Sequence, residues 1–412
     1  MQRLMCWLVL IAMTINVHAK EPHWNQFRGG HGDGKAVTAN PPVDIGEDKN
    51  VKWKIPMPGK AWSSPVVWED QIWLTNAPED GKKLSAVCVD ANTGKVIHDI
   101  LVFDNPNPPF CIPKNSYASC TPIVEAGRVY LHYGSMGTAC VDTKTGKTIW
   151  SRRDIECDHF RAPASSPIIY NDLLIMLFDG ADVQFVMAVD KLTGKTVWKT
   201  DRTINFGTDN GDRKKAYCTP SVITHNGQEM LICPAAIATE ALDPKTGKLL
   251  WTVYFGGMNA SARPLYHDGH VVVTNGMGGM TVIKPDGSGD ITKSAIAWSE
   301  RKGVAKKSSQ ILIGNDLYMI SDSGVGSCRD LKTGKVYWDE RLGRGAYAAS
   351  PILASNRIYF FSESGSVVVI KAGREPKILS QGKFDDGFMA SPAVIGDALI
   401  LRTKSHLYRV EE

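Results

Sequence analysis

The chain of 412 residues is 43% hydrophobic and 22% charged, proportions that exclude a disordered protein and fit a folded globular one. Of its 47 lysines and arginines, all but Arg3 lie beyond the first nineteen residues, where they face 43 carboxylates. That balance carries no basic stripe and argues against nucleic acid or a charged membrane surface as the partner.

The first element is a leader. Arg3 precedes the unbroken apolar run LMCWLVLIAM, and Val17 and Ala19 supply the small residues of a cleavage site after Ala19. Residues 1–19 therefore read as a secretory signal peptide, too short to span a bilayer. No small-residue pair followed by Cys ends the run, as a lipid anchor would require. No later segment reaches about 18 apolar residues, so the mature chain is expected to be exported, to the periplasm or beyond, with no transmembrane span. Residues 20–50 form an extension that contains WNQFRGGHGDG (24–34). Its glycines lack the preceding strand and following helix of a dinucleotide loop.

From residue 51 the chain repeats itself. The turn D-x-x-T-G-K recurs around Gly94, Gly146, Gly194, Gly247 and Gly334, with a degraded copy, KPDGSGD, near Gly287 and a remnant, KAGREPK, near Gly373. The Gly-Lys-Thr of two copies is not a phosphate loop, because Val141 and Val189 stand where that loop needs its first glycine. A second element, Ser/Thr-Pro before a β-branched run, precedes each turn. Its markers Pro65, Pro122, Pro167, Pro220, Pro264, Gln310, Pro351 and Pro392 are spaced by 57, 45, 53, 44, 46, 41 and 41 residues. Periods of roughly 40–50 residues, each holding several short strands, are those of propeller blades.

The third unit shows the plan. SSPIIY, DLLIMLF, QFVMAVD and KTVWKTD are four strands, the first turn is Asn171-Asp172, and Thr193-Gly194 makes the last hairpin. Short runs rich in Val and Ile between turn residues favour strand over helix, and no long helical periodicity occurs. The tryptophans that end the motif, Trp150, Trp198, Trp251, Trp298 and Trp338, are expected to fill the wedge between neighbouring blades, each burying about 150–250 Å². After Pro392 only three strands remain (SPAVIG, ALILRT, HLYRV), and VKWKIPM (51–57), with Trp53 in the motif position, supplies the fourth. The expected fold is an all-β, eight-bladed β-propeller over residues 51–412, closed by its N-terminal strand, which removes the open edge.

Eight cysteines follow the leader. Cys88, Cys140 and Cys328 precede repeat turns and are expected to be buried thiols. Cys120 and Cys218 replace Ser in the second element. Cys111 and Cys157 lie in inter-blade loops and are the candidates for a bridge, although sequence leaves the connectivity open.

Loops between blades are where function is sought. CDHFRAP offers Asp158, His159 and Arg161, and FDGADVQ offers Asp179 and Asp182. Converging on one face, these five could bind an anion, a sugar or a metal. The plainer reading pairs Asp158 with Arg161 and makes Asp179-Gly180 a hairpin turn. DGSGD (286–290) lacks the sixth-position Gly and twelfth-position Glu of a calcium loop and reads as a widened turn. HDGH (267–270) reads as a hairpin rather than a metal site, and the single Trp338-Asp339 as chance. The insertion NPNPPFCIPKNSY (105–117) is stiffened by prolines and is a candidate docking rim.

The repeat A-x-D-x-x-T-G-x-x-x-W resembles the tryptophan-docking motif of pyrroloquinoline-quinone (PQQ)-like propellers, over roughly residues 51–412. WNQFRG, GTACVDTKTGKTIWSRRDIECDHF and FDGADVQFVMAVDKLTGKTVW resemble an exported subfamily similar to the BamB-type outer-membrane protein assembly factor. That resemblance implies a monomeric, non-catalytic scaffold that binds an envelope protein or extended peptide and holds no cofactor. Its alternative implication is a PQQ- and Ca²⁺-dependent quinoprotein oxidoreductase acting on alcohols or sugars. Alcohol-oxidising members usually carry adjacent cysteines above the quinone, and carboxylate and amide ligands for Ca²⁺. This chain has no Cys-Cys pair, no C-x-x-C-H haem signature and no motif onto which those ligands map.

Overall fold

In the third unit, Ile168–Tyr170, Leu173–Asp179, Gln184–Asp190 and Thr196–Asp201 pair antiparallel in sequence order. The same plan recurs around a ring of eight blades, seen in a computed structural model that describes residues 23–412. The leader and its cleavage site lie outside the described residues. Middle strands read as near-continuous buried runs because a neighbouring blade covers each face, whereas outer strands alternate buried and exposed positions. Val51–Pro56 pairs antiparallel with His406–Val410, so the chain start completes the last blade. Helix is confined to Thr292–Ala295 and a 3-10 turn at Gly211–Arg213 among the described residues.

Blades are held to one another by two devices. The first is the T-G-K turn. Gly194, at φ +72°, places its α-carbon so that an added Cβ would stand 2.6 Å from the Trp150 ring of the preceding blade, a contact only glycine allows. Trp150 Nε1–H then donates to Lys191 O at 2.9 Å. Trp53 lies on Gly94 and donates to Ala91 O, and Trp298 lies on Gly334 and donates to Leu331 O. Trp338 donates to Gly373 O, and Trp198 lies on Gly247 without such a bond. Trp251 has no T-G-K turn ahead of it and instead meets Met230 of its own blade. In blade 1 the motif position is taken by His98, which packs on Gly146 and meets Thr143 O at 3.2 Å.

The second device is a ring of hydroxyls around the axis. Each Ser/Thr before the marker proline accepts the backbone N–H of its counterpart one blade back. Ser64 donates to Thr121, Thr121 to Ser166, and Ser166 to Thr219. Arg263 donates to Ser309, Ser309 to Ser350, Ser350 to Ser391, and Ser391 back to Ser64, at 2.8–3.0 Å. Blade 5 breaks the circle because Arg263 replaces the hydroxyl. Its guanidinium reaches Phe27 O at 2.6 Å and Gln26 Oε1 at 3.2 Å. The segment Trp24–Ala36 thereby lies across the axis. It accepts N–H bonds from Val67 of blade 1 and Val124 of blade 2, donates through Arg28 to Gln310 O of blade 6, and pairs Lys35–Ala36 with blade 7.

Two expectations are revised. All eight described cysteines are free thiols, so Cys111 and Cys157 form no bridge. Cys157 is packed inward beside His159 and Gly180, while Cys111 sits half-buried in the proline-rich loop. DGSGD is wider than a turn: Gly289–Asp290 runs back as a fifth strand parallel to Trp251–Thr252 of blade 4.

Candidate functional site

Strand order gives the ring two unlike faces. T-G-K turns and first hairpins such as Asn171-Asp172 share one. The other, the loop face, carries the second hairpins and the long connections between blades. All five candidate residues stand on the loop face, but they do not form one site. Asp158, His159 and Asp182 make a hydrogen-bonded knot. Asp158 N–H donates to Asp182 Oδ1 at 2.8 Å, the Asp158 carboxylate accepts from Phe160 N–H, and Ser135 N–H donates to His159 Nε2 at 3.1 Å. Burial pushes His159 down to about 4 and neighbouring His132 to about 3, so both rings are neutral.

Arg161 turns away from Asp158 and pairs with Asp212 at 3.2 Å, where Lys215 also docks. Asp179 begins its hairpin, as the plainer reading has it, but its carboxylate is buried in a fork with Arg202 at 2.8–2.9 Å. Arg202 also meets Glu240 at 3.3 Å, and against the pull of burial these two carboxylates hold the guanidinium charged. Among the described residues no three His, Cys, Asp or Glu side chains are disposed to hold a metal. HDGH closes a hairpin, His267 pairing with His270.

The loop face has two further features. Over the axis, Glu363 gathers Lys114 at 3.1 Å and Lys307 at 2.8 Å from loops on opposite sides of the ring. Beneath lies a cavity of about 160 Å³ floored by Phe27 and walled by the hydroxyl ring, Trp62, Tyr217 and Lys307. Small-molecule sites usually measure roughly 300–1,000 Å³. A tricyclic quinone with three carboxylates does not fit there: the one lining cation, Lys307, is already paired, and no carboxylate lines the cavity to balance the charge of Ca²⁺.

Off the axis, Phe110 of the 105–117 insertion meets Phe160 edge to face, ring centroids 6.3 Å apart. Their exposures are 64% and 41%. Phe160 at φ +58° and Ala162 at φ +69° hold the loop in a strained left-handed course, and Lys215 Nζ stands 5.0 Å from the Phe160 ring. Sequence reading singled out both loops but not their phenylalanines. The available signal was a large apolar residue in each of two polar, proline-flanked loops.

A closed ring of eight four-stranded blades, tied by tryptophan docking on T-G-K turns, defines a PQQ-like β-propeller. The model of the family described as outer membrane protein assembly factor BamB matches residues 50–236 and 238–412, and the chain belongs to that family. No curated protein sequence matches it. Among solved structures it is similar to BamB from Moraxella catarrhalis, with 13% identity, 88% of this chain and 97% of that one covered, and a TM-score of 0.61. Quinohemoprotein alcohol dehydrogenase from Comamonas testosteroni gives 12% identity over 94% and 80%, TM-score 0.68. A europium-containing methanol dehydrogenase gives 11% over 94% and 89%, TM-score 0.68. At such identities the likeness concerns the fold. No helix among the described residues is long and apolar enough to cross a membrane.

Proposed function

We propose that the chain is an exported, monomeric, non-catalytic propeller that serves as a protein-binding scaffold in the cell envelope. It engages an envelope protein or an extended peptide at the rim formed by Phe110 and Phe160. The observation that carries this reading is that exposed aromatic pair, Phe160 held on strained backbone beside Lys215, where a soluble monomer would gain by burying it. The small, hydroxyl-walled axial cavity supports a scaffold without cofactor, and the family's description as an assembly factor supports an envelope partner.

The test has two arms. Chemical crosslinking of purified protein to solubilised envelope proteins should capture a defined partner, and Phe110→Ser with Phe160→Ser should abolish the capture without lowering thermal stability. Titration with PQQ and Ca²⁺ should leave absorbance and unfolding temperature unchanged, since a ligand bound to the native state alone must raise stability. A stabilising quinone complex with dye-linked oxidation of alcohols or sugars would replace the scaffold reading by a quinoprotein oxidoreductase.

A further inference from the structure

The outer strand of blade 1, Val96–Asp104, is unlike its seven counterparts. At nine residues it is the longest strand among the described residues. It exposes three aliphatic side chains, Val96 at 57%, Ile97 at 42% and Leu101 at 54%. The outer strands of blades 2, 3, 6 and 7 expose one each, Ile149, Val197, Val336 and Ile378, and those of blades 4, 5 and 8 none. His98 and Ile100 pack on Gly146 of blade 2. Ile97, Asp99 and Leu101 alternate with them, and alternation puts these three on the other side. Between two bulges, His98–Leu101 runs in regular register with Ser85–Cys88, and its far edge has no partner strand among the described residues. A long, apolar, open edge is what folded proteins ordinarily avoid.

The chain itself shows what a blade's outer edge accepts. On blade 4 that edge is covered by the parallel Gly289–Asp290. On blade 7, Glu47 N–H donates to Lys383 O of the outer strand. Gly289–Asp290 is a strand of two residues, and Glu47 reaches its blade from the turn Gly46–Lys49. Blade 1 has the longer and more apolar edge and is left uncovered. Asp99 lies between Ile97 and Leu101 and makes no ion pair among the described residues, so the edge presents an apolar, acidic, apolar series.

We propose that the free edge of Val96–Asp104 takes an extended partner segment as a fifth strand, one that carries a basic residue between two apolar residues at alternate positions. Backbone hydrogen bonds supply the pairing and Asp99 the preference for a cation. The inference rests on the scaffold reading and specifies the chemistry of the bound segment.

The probe is a capped heptapeptide, Thr-Val-Thr-Lys-Thr-Val-Thr, with a counterpart carrying Glu in place of Lys. Hydrogen exchange of the full chain is followed with each probe up to millimolar concentration. The lysine probe should slow exchange across Val96–Asp104 at least tenfold more than the glutamate probe, and Asp99→Lys, at an exposed position, should reverse the order while keeping the unfolding temperature. The site is overturned if neither probe slows exchange there, or if both do so equally in both chains. Phe110→Ser with Phe160→Ser should bind the lysine probe as the unaltered chain does. Loss of binding in that variant would move the probe to the loop rim and sink the edge site, while leaving the scaffold reading intact.

Discussion

Replacing Gly194 by Ala isolates the docking device. Two effects add. An L-residue at φ +72° costs about 1–2 kcal/mol. The new Cβ would also sit 2.6 Å from Trp150 Cε3 and 2.8 Å from Cδ2, where carbon atoms normally rest near 3.5–4.0 Å. The ring must retreat by about 1 Å, losing its bond to Lys191 O, about 1 kcal/mol, and well-packed contacts worth about 1–2 kcal/mol more. The expected total is about 3–5 kcal/mol. Gly127 is the control: it has φ +78° and nothing within 4 Å of its would-be Cβ, so Gly127→Ala should show the strain alone, about 1–2 kcal/mol. Equilibrium urea unfolding at constant m gives both numbers. In a Trp150→Ala background the Gly194 substitution should fall to the control value, a coupling that a double-mutant cycle reads directly. Equal losses at Gly194 and Gly127, or no coupling to Trp150, would refute tryptophan docking as what holds blade 2 to blade 3.

Other predictions follow from the same geometry. Ser166→Ala leaves the buried Thr121 N–H without its acceptor and should destabilise by about 1–3 kcal/mol, checked by urea midpoint; a loss near zero would mean that water replaces the hydroxyl. Arg202→Met strands the Asp179 and Glu240 carboxylates in the interior and should cost about 3–5 kcal/mol, much of it recovered when Asp179→Asn and Glu240→Gln are added. Acid should weaken the fold well before the carboxylates titrate. His132 and His159 have folded values lowered by burial to about 3 and about 4, so the unfolded chain binds their protons first. Stability is full above the unfolded value near 6.5 and declines as pH falls toward 4, by about 3–4 kcal/mol at pH 5. A urea midpoint that stays flat from pH 7 to pH 5 contradicts neutral burial of these rings. Below about pH 4 the turn carboxylates Asp90, Asp142, Asp190 and Asp330, each lowered with the help of hydrogen bonds from the Thr three residues on, should add a second loss.

How much of this could be read from sequence depends on the range of the interaction. The hairpins were legible because their causes are local: Asp190 Oδ1 accepts from Leu192 N–H, Thr193 N–H and Thr193 Oγ1–H within four residues, so the letters D-x-x-T-G-K specify the turn wherever they stand. Ring closure was legible by counting, since three strands at one end and one at the other leave a single way to remove the edge. Letter matching failed where a different residue does the same work. His98 stands in the tryptophan position of blade 1, invisible to a search for Trp but placed by the register of VIHD after the turn. Arg263 reads as a lost hydroxyl in the second element; only the fold shows that the lost bond is exchanged for a clamp on Phe27 and Gln26, 236 and 237 residues away. The five loop residues are the opposite case: they share a face, as their blade positions require, yet pairing on that face is set by side-chain reach across loops. Arg161 therefore meets Asp212 instead of Asp158, and Asp179 turns inward to Arg202. Arg202 spends its charge on tying blade 3 to blade 4 and Arg263 on clamping the N-terminal segment, while Phe110 and Phe160 on one rim, and Ile97 and Leu101 along one edge, stay exposed. Covering of those apolar groups by another chain is what the scaffold reading proposes, and the Phe110→Ser, Phe160→Ser capture experiment and the Asp99→Lys exchange experiment test it at the rim and at the edge separately.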